Sequence, residues 1–316
     1  MRLLIVKTSS LGDVIHYLPA LSDLRRHCPE ARIDWCVEES FAAIPALHPA
    51  VGEVIPVAVR RWRRQLLQGS TWREIGQLRR RLQQNHYDLV IDAQGLLKSA
   101  LIARLTQAPL AGYDSASIRE PLASRFYDRR YTVSRDLHAV VRNRQLTAAA
   151  FGYALDGEPD YGIAPPAVVF DWLPSGPYAV LLSATSRDDK LWPETHWIEL
   201  GRRLQAQGVR ALFPGGHALE RERAARLAAA IPGALAVPPQ GIGELAALLA
   251  GAQAVVGVDT GLTHLAVALE TPTVAIYTAT DPGLTGVHGR GRWCNLGGKA
   301  QIPTVDGVLE ALAGGD

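Results

Sequence analysis

The sequence contains few cysteines and few lysines. Its three cysteines, Cys28, Cys36 and Cys294, are an odd number at no spacing typical of a metal site or a disulfide framework. We therefore expect a reducing compartment, in which all three are packing residues. Lysine supplies four of the 33 basic residues. The arginine excess suits bidentate contacts with carboxylates or phosphates, although a GC-rich genome would give the same bias.

Long hydrophobic runs are also missing. No run reaches the roughly 18–20 apolar residues of a membrane-spanning helix, and the longest candidate, residues 245–258, contains Gln253. The first residues enter a strand pattern directly, without the pattern of a signal peptide. We therefore predict a cytoplasmic protein. With 316 residues, of which 47% are hydrophobic, the chain is long enough for about two domains with sizeable cores.

Several catalytic motifs are absent. The sequence has no Asp-x-Asp pair, H-E-x-x-H, P-loop or G-x-S-x-G, which argues against metal-bound sugar nucleotides, zinc proteases, P-loop enzymes and α/β-hydrolases. Gly241-Ile-Gly243-Glu-Leu-Ala246 matches G-x-G-x-x-A. A dinucleotide fingerprint must leave a strand directly, and here Pro238 and Pro239 intervene. The sequence therefore does not predict a dinucleotide-binding oxidoreductase.

Charge is distributed unevenly along the chain. Residues 1–160 hold 22 Lys+Arg and 17 Asp+Glu, a net +5, whereas residues 161–316 hold 11 and 14, a net −3. Residues 60–64 read Arg-Arg-Trp-Arg-Arg. Such a cluster needs solvent or anionic partners. The modest +5 argues against a general nucleic-acid surface, and an anionic small molecule or a lipid head group fits better.

Hydrophobic periodicity predicts alternating strands and helices in both halves, which indicates parallel sheets covered by helices. The predicted strands lie near residues 2–7, 31–38, 53–57, 87–92 and 109–112, then at 178–183, 209–213, 254–258 and 273–277. The predicted helices lie near residues 13–27, 71–85, 96–106 and 137–151, then at 194–206, 218–229, 242–251, 261–269 and 304–313. Residues 278–303 are predicted to form a long loop.

A stretch rich in proline and glycine separates the two patterns, and we place a linker there. The prediction is an α/β protein with a first Rossmann-like domain at 1–160, a linker at 161–177 and a second Rossmann-like domain at 178–316. The last helix, 304–313, is a candidate to pack back on the first domain. Two doubly wound domains create a cleft, and ligands in such folds bind at the carboxyl ends of the strands.

The first strand-to-helix turn carries an aspartate. The strand-like residues 3–6 lead into Thr-Ser-Ser-Leu-Gly and Asp13, and Val14, Leu18 and Leu21 follow at helical spacing. Asp13 in the first helical turn can cap free N–H groups and complement the helix dipole. It can also be a catalytic base at the mouth of the sheet. The stretch alone leaves both interpretations open.

Three stretches of the second half resemble parts of an anion-binding site. At Asp259 a strand ends, and Thr260 and Gly261 open a helix whose N–H groups suit a phosphate, with His264 in the same turn. Ordinary helix capping is the alternative. Lys190 follows another strand and could neutralise a leaving phosphate, or it could be a solvated loop lysine. The helix after Pro-Gly-Gly at 214–216 offers Glu220 or Glu222 to ribose hydroxyls, or to the helix dipole.

These stretches together resemble a known family. RLLIVKTSSLGDVIHYLPAL, VIDAQGLLKSALIARL, IREPLASRFYDRRY, VDTGLTHLAVAL and TDPGLTG are similar to bacterial lipopolysaccharide heptosyltransferases of glycosyltransferase family 9, and the similarity extends over nearly the whole chain. The Ser-Ser-Leu-Gly-Asp start and the Ile-Arg-Glu-Pro-Leu-Ala-Ser run resemble type I, which adds the first heptose, more than type II, which adds the next. A type II enzyme acting on an already heptosylated core is the alternative.

The resemblance implies a GT-B fold, with two Rossmann-like domains facing across a cleft. It implies an inverting, metal-independent transfer of L-glycero-D-manno-heptose from ADP-heptose to the inner Kdo of Kdo2-lipid A, with no cofactor. The enzyme would be peripheral on the cytoplasmic face of the inner membrane and would not bind nucleic acid. A nucleotide-sugar-binding regulator fits less well, because the base, the lysine and the diphosphate helix are all present. A structural membrane-surface protein would need a richer amphipathic anchor than the sequence contains.

The resemblance also implies the roles of individual residues. Asp13 would be the catalytic base and Lys190 the lysine beside the donor diphosphate. Donor binding would involve Thr185, Ser186, Lys190, Glu220, Asp259, Thr260, Gly261 and His264. Acceptor binding would involve Arg60, Arg61, Arg64, Arg119 and Arg142, of which Arg64 replaces a lysine expected in some relatives. No metal ligand is implied.

Overall fold

The chain divides into two compact units, Met1–Ile163 and Ala164–Asp316. The boundary falls inside the segment predicted as the linker. A computed structural model describes residues 1–314, and residues 315 and 316, at the end of the predicted second domain, lie outside the described residues. Among residues 1–314, no helix is both long and apolar enough to cross a membrane.

The first unit is built on a parallel sheet of six strands in the order β3-β2-β1-β4-β5-β6. The strands are β1 Arg2–Val6, β2 Arg32–Glu38, β3 Val51–Val57, β4 Leu89–Asp92, β5 Leu110–Tyr113 and β6 Arg129–Tyr131. In β1, the continuous apolar run of residues 3–6 is fully buried, as expected for a strand covered on both faces. This strand therefore lies in the core. Because β1 is a central strand of the sheet, its carboxyl end lies between those of β2 and β4.

Helices cover this first sheet. They are α1 Leu11–Ile15, α2 Leu18–His27, α3 Ala43–Ala46, α4 Val59–Trp62, α5 Gly69–Gln84, α6 Leu97–Arg104 and α7 Ala139–Phe151, with 3₁₀ turns at Glu39–Phe41 and Pro121–Phe126. In α2, Leu18, Leu21 and Leu24 recur at helical spacing and are fully buried. Their apolar face holds α2 in place, and α2 packs against α7.

The second unit repeats this topology, with strands in the order β12-β11-β10-β7-β8-β9, again all parallel. The strands are β7 Tyr178–Leu182, β8 Arg210–Phe213, β9 Leu235–Ala236, β10 Ala254–Val258, β11 Thr273–Tyr277 and β12 Trp293–Gly297. The helices are α8 Glu194–Ala206, α9 Ala218–Ala229, α10 Ile242–Ala250, α11 Gly261–Ala268, α12 Pro282–Thr285 and α13 Val305–Ala313, with a 3₁₀ turn at Asp188–Lys190. Trp192, Trp197 and Phe213 are fully buried in its core.

Each sheet has one point at which the strand order reverses. In the first unit this point lies between β1 and β4, and in the second between β7 and β10. Ligands of doubly wound sheets bind outside the carboxyl ends of the strands at this switch point. The loops that follow these four strands are therefore the places to look for function.

The prediction of a single helix at 13–27 is wrong, because the structure has two helices there. The chain forms α1, ending at Ile15, and then α2, which begins at Leu18. Pro19 explains the break, because a proline lacks the N–H that would bond to the carbonyl of Ile15 and its ring would clash with that carbonyl. In the first turn of α2 the same proline is tolerated.

The long loop predicted at 278–303 is also wrong, because it contains α12 and β12. β12 is an edge strand that pairs with β11. Strands β6 and β9, of three and two residues, were likewise not predicted. The last helix, α13, places Val305 and Val308 in the core of the second unit. The packing of this helix on the first domain stays a prediction.

Candidate active site

Asp13 lies in the loop and helix that follow β1, at the switch point of the first sheet. Its Oδ2 accepts hydrogen bonds from the Ser10 backbone N–H at 2.7 Å and from Ser10 Oγ at 3.0 Å. This is the acidic half of a capping box, in which a side chain at the third helical position reaches back to the residue before the helix. The carboxylate is half-buried. Asp13 therefore caps the helix in the structure, and the capping hydrogen bonds use only one of its two carboxylate oxygens.

The loop that carries Asp13 is held by the loop after β4. Gln94 Oε1 accepts hydrogen bonds from the backbone N–H groups of Thr8, at 2.8 Å, and Ser9, at 2.9 Å. The Lys98 ammonium lies 3.4 Å from Ser9 Oγ. These contacts join residues that are more than 80 positions apart in the sequence, and they fix the backbone that leads to Asp13.

Lys7, the last residue before this loop, is buried beneath it. Its ammonium donates a hydrogen bond to the Ala93 carbonyl at 2.8 Å. Burial lowers the pKa of Lys7, whereas the carboxylates of Asp13 and Asp92 oppose that shift and the Arg142 guanidinium adds to it. The Lys7 ammonium thus lies within electrostatic range of both the Asp13 carboxylate and the Arg142 guanidinium.

Asp92 organises the loop after β4. It is fully buried, and its carboxylate accepts hydrogen bonds from Ser99 Oγ and Tyr127 Oη, both at 2.8 Å. Burial raises the pKa of Asp92 despite these hydrogen bonds and those from two backbone N–H groups. These four hydrogen bonds join Asp92 to groups of the same unit, and we regard it as structural.

Asp259, directly after β10, is the centre of a cluster in the second unit. Its Oδ2 accepts hydrogen bonds from Lys190 Nζ at 2.7 Å and from Thr280 Oγ1 at 2.8 Å. Thr185 Oγ1 donates to the Asp259 carbonyl at 2.9 Å. The Lys190 and Asp259 side chains are 18% and 13% exposed, so this ion pair is largely shielded but still reachable from solvent.

The start of α11 lies next to this cluster. Thr260 is the extended residue before the helix and Gly261 is the first helical residue. His264 is buried, and its Nε2 lies 4.0 Å from Asp259 Oδ1. Free N–H groups in the first turn, together with Lys190, form an arrangement that suits a phosphate. The structure thus brings Thr185 and Lys190, from the loop after β7, next to the predicted stretch after β10 that contains Asp259, Thr260, Gly261 and His264.

Glu220 follows β8, the strand next to β7. Its Oε2 accepts hydrogen bonds from the backbone N–H groups of Gly216, at 2.8 Å, and His217, at 3.3 Å. Glu220 is thus the acidic half of a capping box at the start of α9. Glu222 is exposed, as is Ser186 in the loop after β7. Glu220 remains the predicted ribose contact, because it is the glutamate fixed at the carboxyl edge of the sheet.

The five arginines predicted to bind the acceptor differ in their surroundings. The Arg61 guanidinium is paired with Glu39 at 3.2 Å and Glu74 at 3.0 Å, and the hydrogen bonds that it donates to the Glu74 and Glu39 carboxylates raise its pKa. Arg60 is exposed, and its guanidinium carbon lies 5.2 Å from the centre of the Phe41 ring. Arg64 and Arg119 are exposed.

Arg142, on α7, is more enclosed than the other four. Its Nη2 donates to the Ser117 carbonyl at 2.6 Å, and its guanidinium carbon lies 5.0 Å from the centre of the Tyr113 ring. The buried Nε has no hydrogen-bond partner within residues 1–314. A buried N–H without a partner is costly, so an anion bound here would satisfy it.

Sequence reasoning missed three residues that complete these two loops. Thr280 bonds to Asp259, Gln94 holds the backbone before Asp13, and Lys7 lies beneath it. Thr280 and Gln94 belong to the stretches TDPGLTG and VIDAQGLL, which carried the resemblance. Their placement after β11 and β4 was a usable signal, because β4 borders the first switch point and β11 is the neighbour of β10, which borders the second.

Comparison with known proteins identifies the family. The sequence model of glycosyltransferase family 9 (heptosyltransferase) matches residues 75–306, more than half of the chain. The chain belongs to glycosyltransferase family 9. As a member of this family, it is a glycosyltransferase.

Relatives of this family-9 chain are similar to it over most of their length. It is 51% identical over 295 residues to lipopolysaccharide heptosyltransferase 1 of Pseudomonas aeruginosa, which covers 92% of this chain and 82% of the relative. It is 47% identical over 292 residues to lipopolysaccharide heptosyltransferase 1 of Escherichia coli strain K12, which covers 92% of both chains. These relatives confirm the resemblance to the type I enzymes.

Solved structures agree with the fold. The structure of E. coli heptosyltransferase WaaC with ADP matches with a TM-score of 0.91 and 44% identity over 99% of each chain. The structure of E. coli ADP-heptose LPS heptosyltransferase II matches with a TM-score of 0.76 and 20% identity over 99% of this chain and 98% of that one. At that identity it supports the fold alone. The predicted GT-B architecture of this family-9 chain is thus confirmed, and its similarity is to type I rather than type II.

Proposed function

We propose that this enzyme transfers L-glycero-D-manno-heptose from ADP-heptose to the inner Kdo of Kdo2-lipid A, a step in lipopolysaccharide inner-core biosynthesis. The observation that carries the proposal is the cluster of Lys190, Asp259 and Thr280 at the start of α11. It occurs in a chain 42% identical to E. coli WaaC, whose structure with ADP-2-deoxy-2-fluoro heptose matches with a TM-score of 0.89.

The donor diphosphate would lie at the N-terminus of α11. The backbone N–H groups there and the Lys190 ammonium neutralise the charge that develops on ADP as it leaves. Asp259 holds Lys190 in position at 2.7 Å, and its carboxylate is of the right type to accept hydrogen bonds from heptose hydroxyls. Glu220, after β8, would contact the ribose.

The transfer is a single displacement. The acceptor oxygen forms a bond to the anomeric carbon, and the bond from that carbon to the diphosphate oxygen breaks with its electron pair on ADP. Asp13 takes the proton of the attacking hydroxyl. Its Oδ2 is used in the capping box, and Oδ1 is the oxygen proposed to take the proton.

Arginines of the first unit would bind the acceptor. The carboxylates of Kdo and the phosphates of lipid A are anions that guanidinium groups bind in bidentate fashion. Arg142 supports this role best, because its buried Nε has no partner within residues 1–314 and it is an electrostatic neighbour of Lys7, beside Asp13. Arg60, Arg64 and Arg119 are exposed and would contact the more distant phosphates.

The proposal includes a location and a cofactor requirement. Because Kdo2-lipid A is an amphiphile, the enzyme would work as a peripheral protein on the cytoplasmic face of the inner membrane. No cofactor or metal would be needed, since Lys190 and the α11 N-terminus supply the positive charge. Within residues 1–314, no group of three or more His, Cys, Asp or Glu side chains is arranged to hold a metal ion.

The product's configuration tests this chemistry. With ADP-heptose and Kdo2-lipid A, NMR of the new glycosidic bond should show the anomeric configuration opposite to that of the donor. The rate should be the same in EDTA and in Mg²⁺. Retention of configuration would contradict a single displacement assisted by one base. An enzyme that is inactive in EDTA and restored by Mg²⁺ would contradict the metal-independent mechanism.

A further inference from the structure

Positive charge is concentrated in one short segment of the first unit. Residues 60–81 contain eight arginines and one acidic residue, Glu74, a net charge of +7 in a chain whose total is +2. Two of these arginines are in ion pairs, Arg61 with Glu39 and Glu74, and Arg81 with Glu53. The remaining positive charge has no carboxylate partner among the described residues and is available to an external anion.

The same segment exposes large apolar side chains. Leu66, Leu67 and Trp72 are 51%, 103% and 60% exposed, whereas most large apolar residues of the unit are buried. They lie in the loop between α4 and α5 and in the first turn of α5. Single exposed leucines are ordinary, but three neighbouring large apolar side chains indicate a contact surface.

The loop that carries these side chains is held by hydrogen bonds. The buried Thr71 hydroxyl donates to the Gln65 carbonyl at 2.9 Å, and the Trp72 indole N–H donates to the Leu66 carbonyl at 2.9 Å. The polar group of the indole is therefore satisfied inside the protein, and its ring can leave water without losing a hydrogen bond. The apolar side chains are presented by a fixed turn.

The exposed side of α5 continues the surface with arginines. Arg73, Gln77 and Arg80 recur at helical spacing and are all exposed, and Arg79 is exposed seven residues after Trp72. The opposite side of the helix buries Leu78 and Leu82. The helix thus presents a basic face next to the apolar turn.

We propose that Leu66, Leu67, Trp72, Arg73, Arg79 and Arg80 form a docking surface for an anionic phospholipid bilayer. In this membrane-docking surface, the two leucines and the tryptophan enter the interface between head groups and acyl chains, where tryptophan is favoured. The arginines contact lipid phosphates. An acidic protein partner would satisfy the arginines but would leave the apolar turn unexplained. The inference rests on the proposed function only for its biological purpose, which is to bring the enzyme to a lipid-anchored acceptor.

Vesicle flotation tests the surface directly. The full chain should float with vesicles of phosphatidylglycerol and phosphatidylethanolamine, and much less with phosphatidylcholine vesicles. The double variant Leu67→Asp/Trp72→Asp should bind the anionic vesicles at least tenfold more weakly, because both apolar anchors are lost. The triple variant Arg73→Gln/Arg79→Gln/Arg80→Gln should lose about fivefold for each charge, and binding of the wild type should weaken with salt.

The control is Val169→Asp, which places one aspartate at a 90% exposed apolar residue of the other unit. It should float like the wild type, and the melting temperatures should confirm that all variants fold. Unchanged flotation of the Leu67→Asp/Trp72→Asp variant, or equal binding to neutral vesicles, would overturn the proposal. The proposal would also be overturned if the triple arginine variant bound an acidic protein more weakly than the wild type does but still floated with anionic vesicles like the wild type.

A second readout separates this proposal from the proposed function. On a water-soluble Kdo acceptor without acyl chains, the Leu67→Asp/Trp72→Asp variant should turn over at the wild-type rate. If it loses that activity as well, the turn belongs to the sugar-binding site and the docking role is wrong. If the wild type has no heptosyltransferase activity on that acceptor or on Kdo2-lipid A, the proposed function fails, whereas the flotation result stands on its own.

Discussion

At the scale of single residues, Asp13 combines a structural contact with a proposed chemical one. Asp13→Asn keeps an oxygen that can accept from Ser10, so folding should be preserved, but an amide cannot take the acceptor proton. We expect kcat to fall by roughly 10²–10⁴. Asp13→Ala should show the same rate defect and also lose about 0.5–1.5 kcal/mol of folding free energy with the missing hydrogen bonds.

The two variants separate the capping role from the catalytic role. Steady-state kcat and urea unfolding should be measured for both, with ADP binding as a check that the second unit is intact. Near-wild-type turnover in Asp13→Asn, together with a destabilised Asp13→Ala, would mean that Asp13 is a cap and that another group is the base.

Lys190 is the residue whose charge the donor site most needs. Lys190→Ala removes the ammonium 2.7 Å from Asp259 and leaves that carboxylate next to the departing diphosphate. We expect a loss of about 10²–10³ in kcat, with partial recovery in Lys190→Arg, which restores the charge but not the geometry. The measurement is kcat and the KM for ADP-heptose at saturating acceptor. A loss of only a few-fold would remove Lys190 from the proposed mechanism.

At the scale of elements, the arginines in and after α4 have two different roles: Arg61 forms ion pairs within the protein, and Arg60 and Arg64 are proposed to bind the acceptor. Because Glu39 and Glu74 already neutralise Arg61, Arg61→Ala should mainly loosen α4 and α5. Arg60→Ala combined with Arg64→Ala should raise the acceptor KM by at least about tenfold, since bonds to charged groups are each worth roughly 1.5–3 kcal/mol. The donor KM should stay nearly unchanged. If the donor KM rises instead, these arginines serve the other substrate.

His48, in the turn before β3, is expected to make the stability of the protein depend on pH. Its Nδ1 accepts from the Ala50 N–H at 3.1 Å and its Nε2 lies 3.0 Å from Ser22 Oγ. Burial lowers the pKa of His48 from 6.5 to about 4. Between these two pH values the unfolded chain binds a proton that the folded chain does not. The free energy of unfolding therefore decreases, and the protein becomes less stable, as pH falls through this window.

The expected loss between pH 7.5 and 4.5 is roughly 2–3 kcal/mol from this residue. Urea unfolding of the wild type and of His48→Gln at both pH values isolates the contribution, because other groups cancel in the difference. The variant should be less stable than the wild type at pH 7.5 and should lose less stability on acidification. Equal pH dependence in the two proteins would show that His48 is not the proton-sensitive group.

Sequence patterns predicted most of the elements, because long apolar runs and helical spacing report local burial. These patterns failed for elements whose bounds or existence depend on a steric contact or on a partner distant in the sequence. The break between α1 and α2 depends on where the Pro19 ring meets the preceding turn. The edge strand β12 exists because β11 offers it a partner, and its own residues are weakly patterned.

At the scale of the whole molecule, the two units have the same strand order, and each has its switch point between its first and its fourth strand. Asp259 could be predicted because it follows a strand directly, and Asp13 and Lys190 because they lie in the strand-to-helix connections after β1 and β7. Gln94 and Thr280 also follow strands, but their roles could not be read from position alone. Gln94 bonds to residues 85 and 86 positions away, and Thr280 bonds to a residue 21 positions away. The sequence therefore predicted the groups proposed for the chemistry better than the groups that position them.

The most direct test of the central claim is a paired acceptor assay. The enzyme is given ADP-heptose with Kdo2-lipid A, and separately with the same acceptor already carrying one heptose, and ADP release and product mass are followed. We predict one heptose added to Kdo2-lipid A and little or no transfer to the heptosylated acceptor. Preferential transfer to the heptosylated acceptor would contradict the proposed type I function, and no transfer to either would contradict the donor and acceptor together.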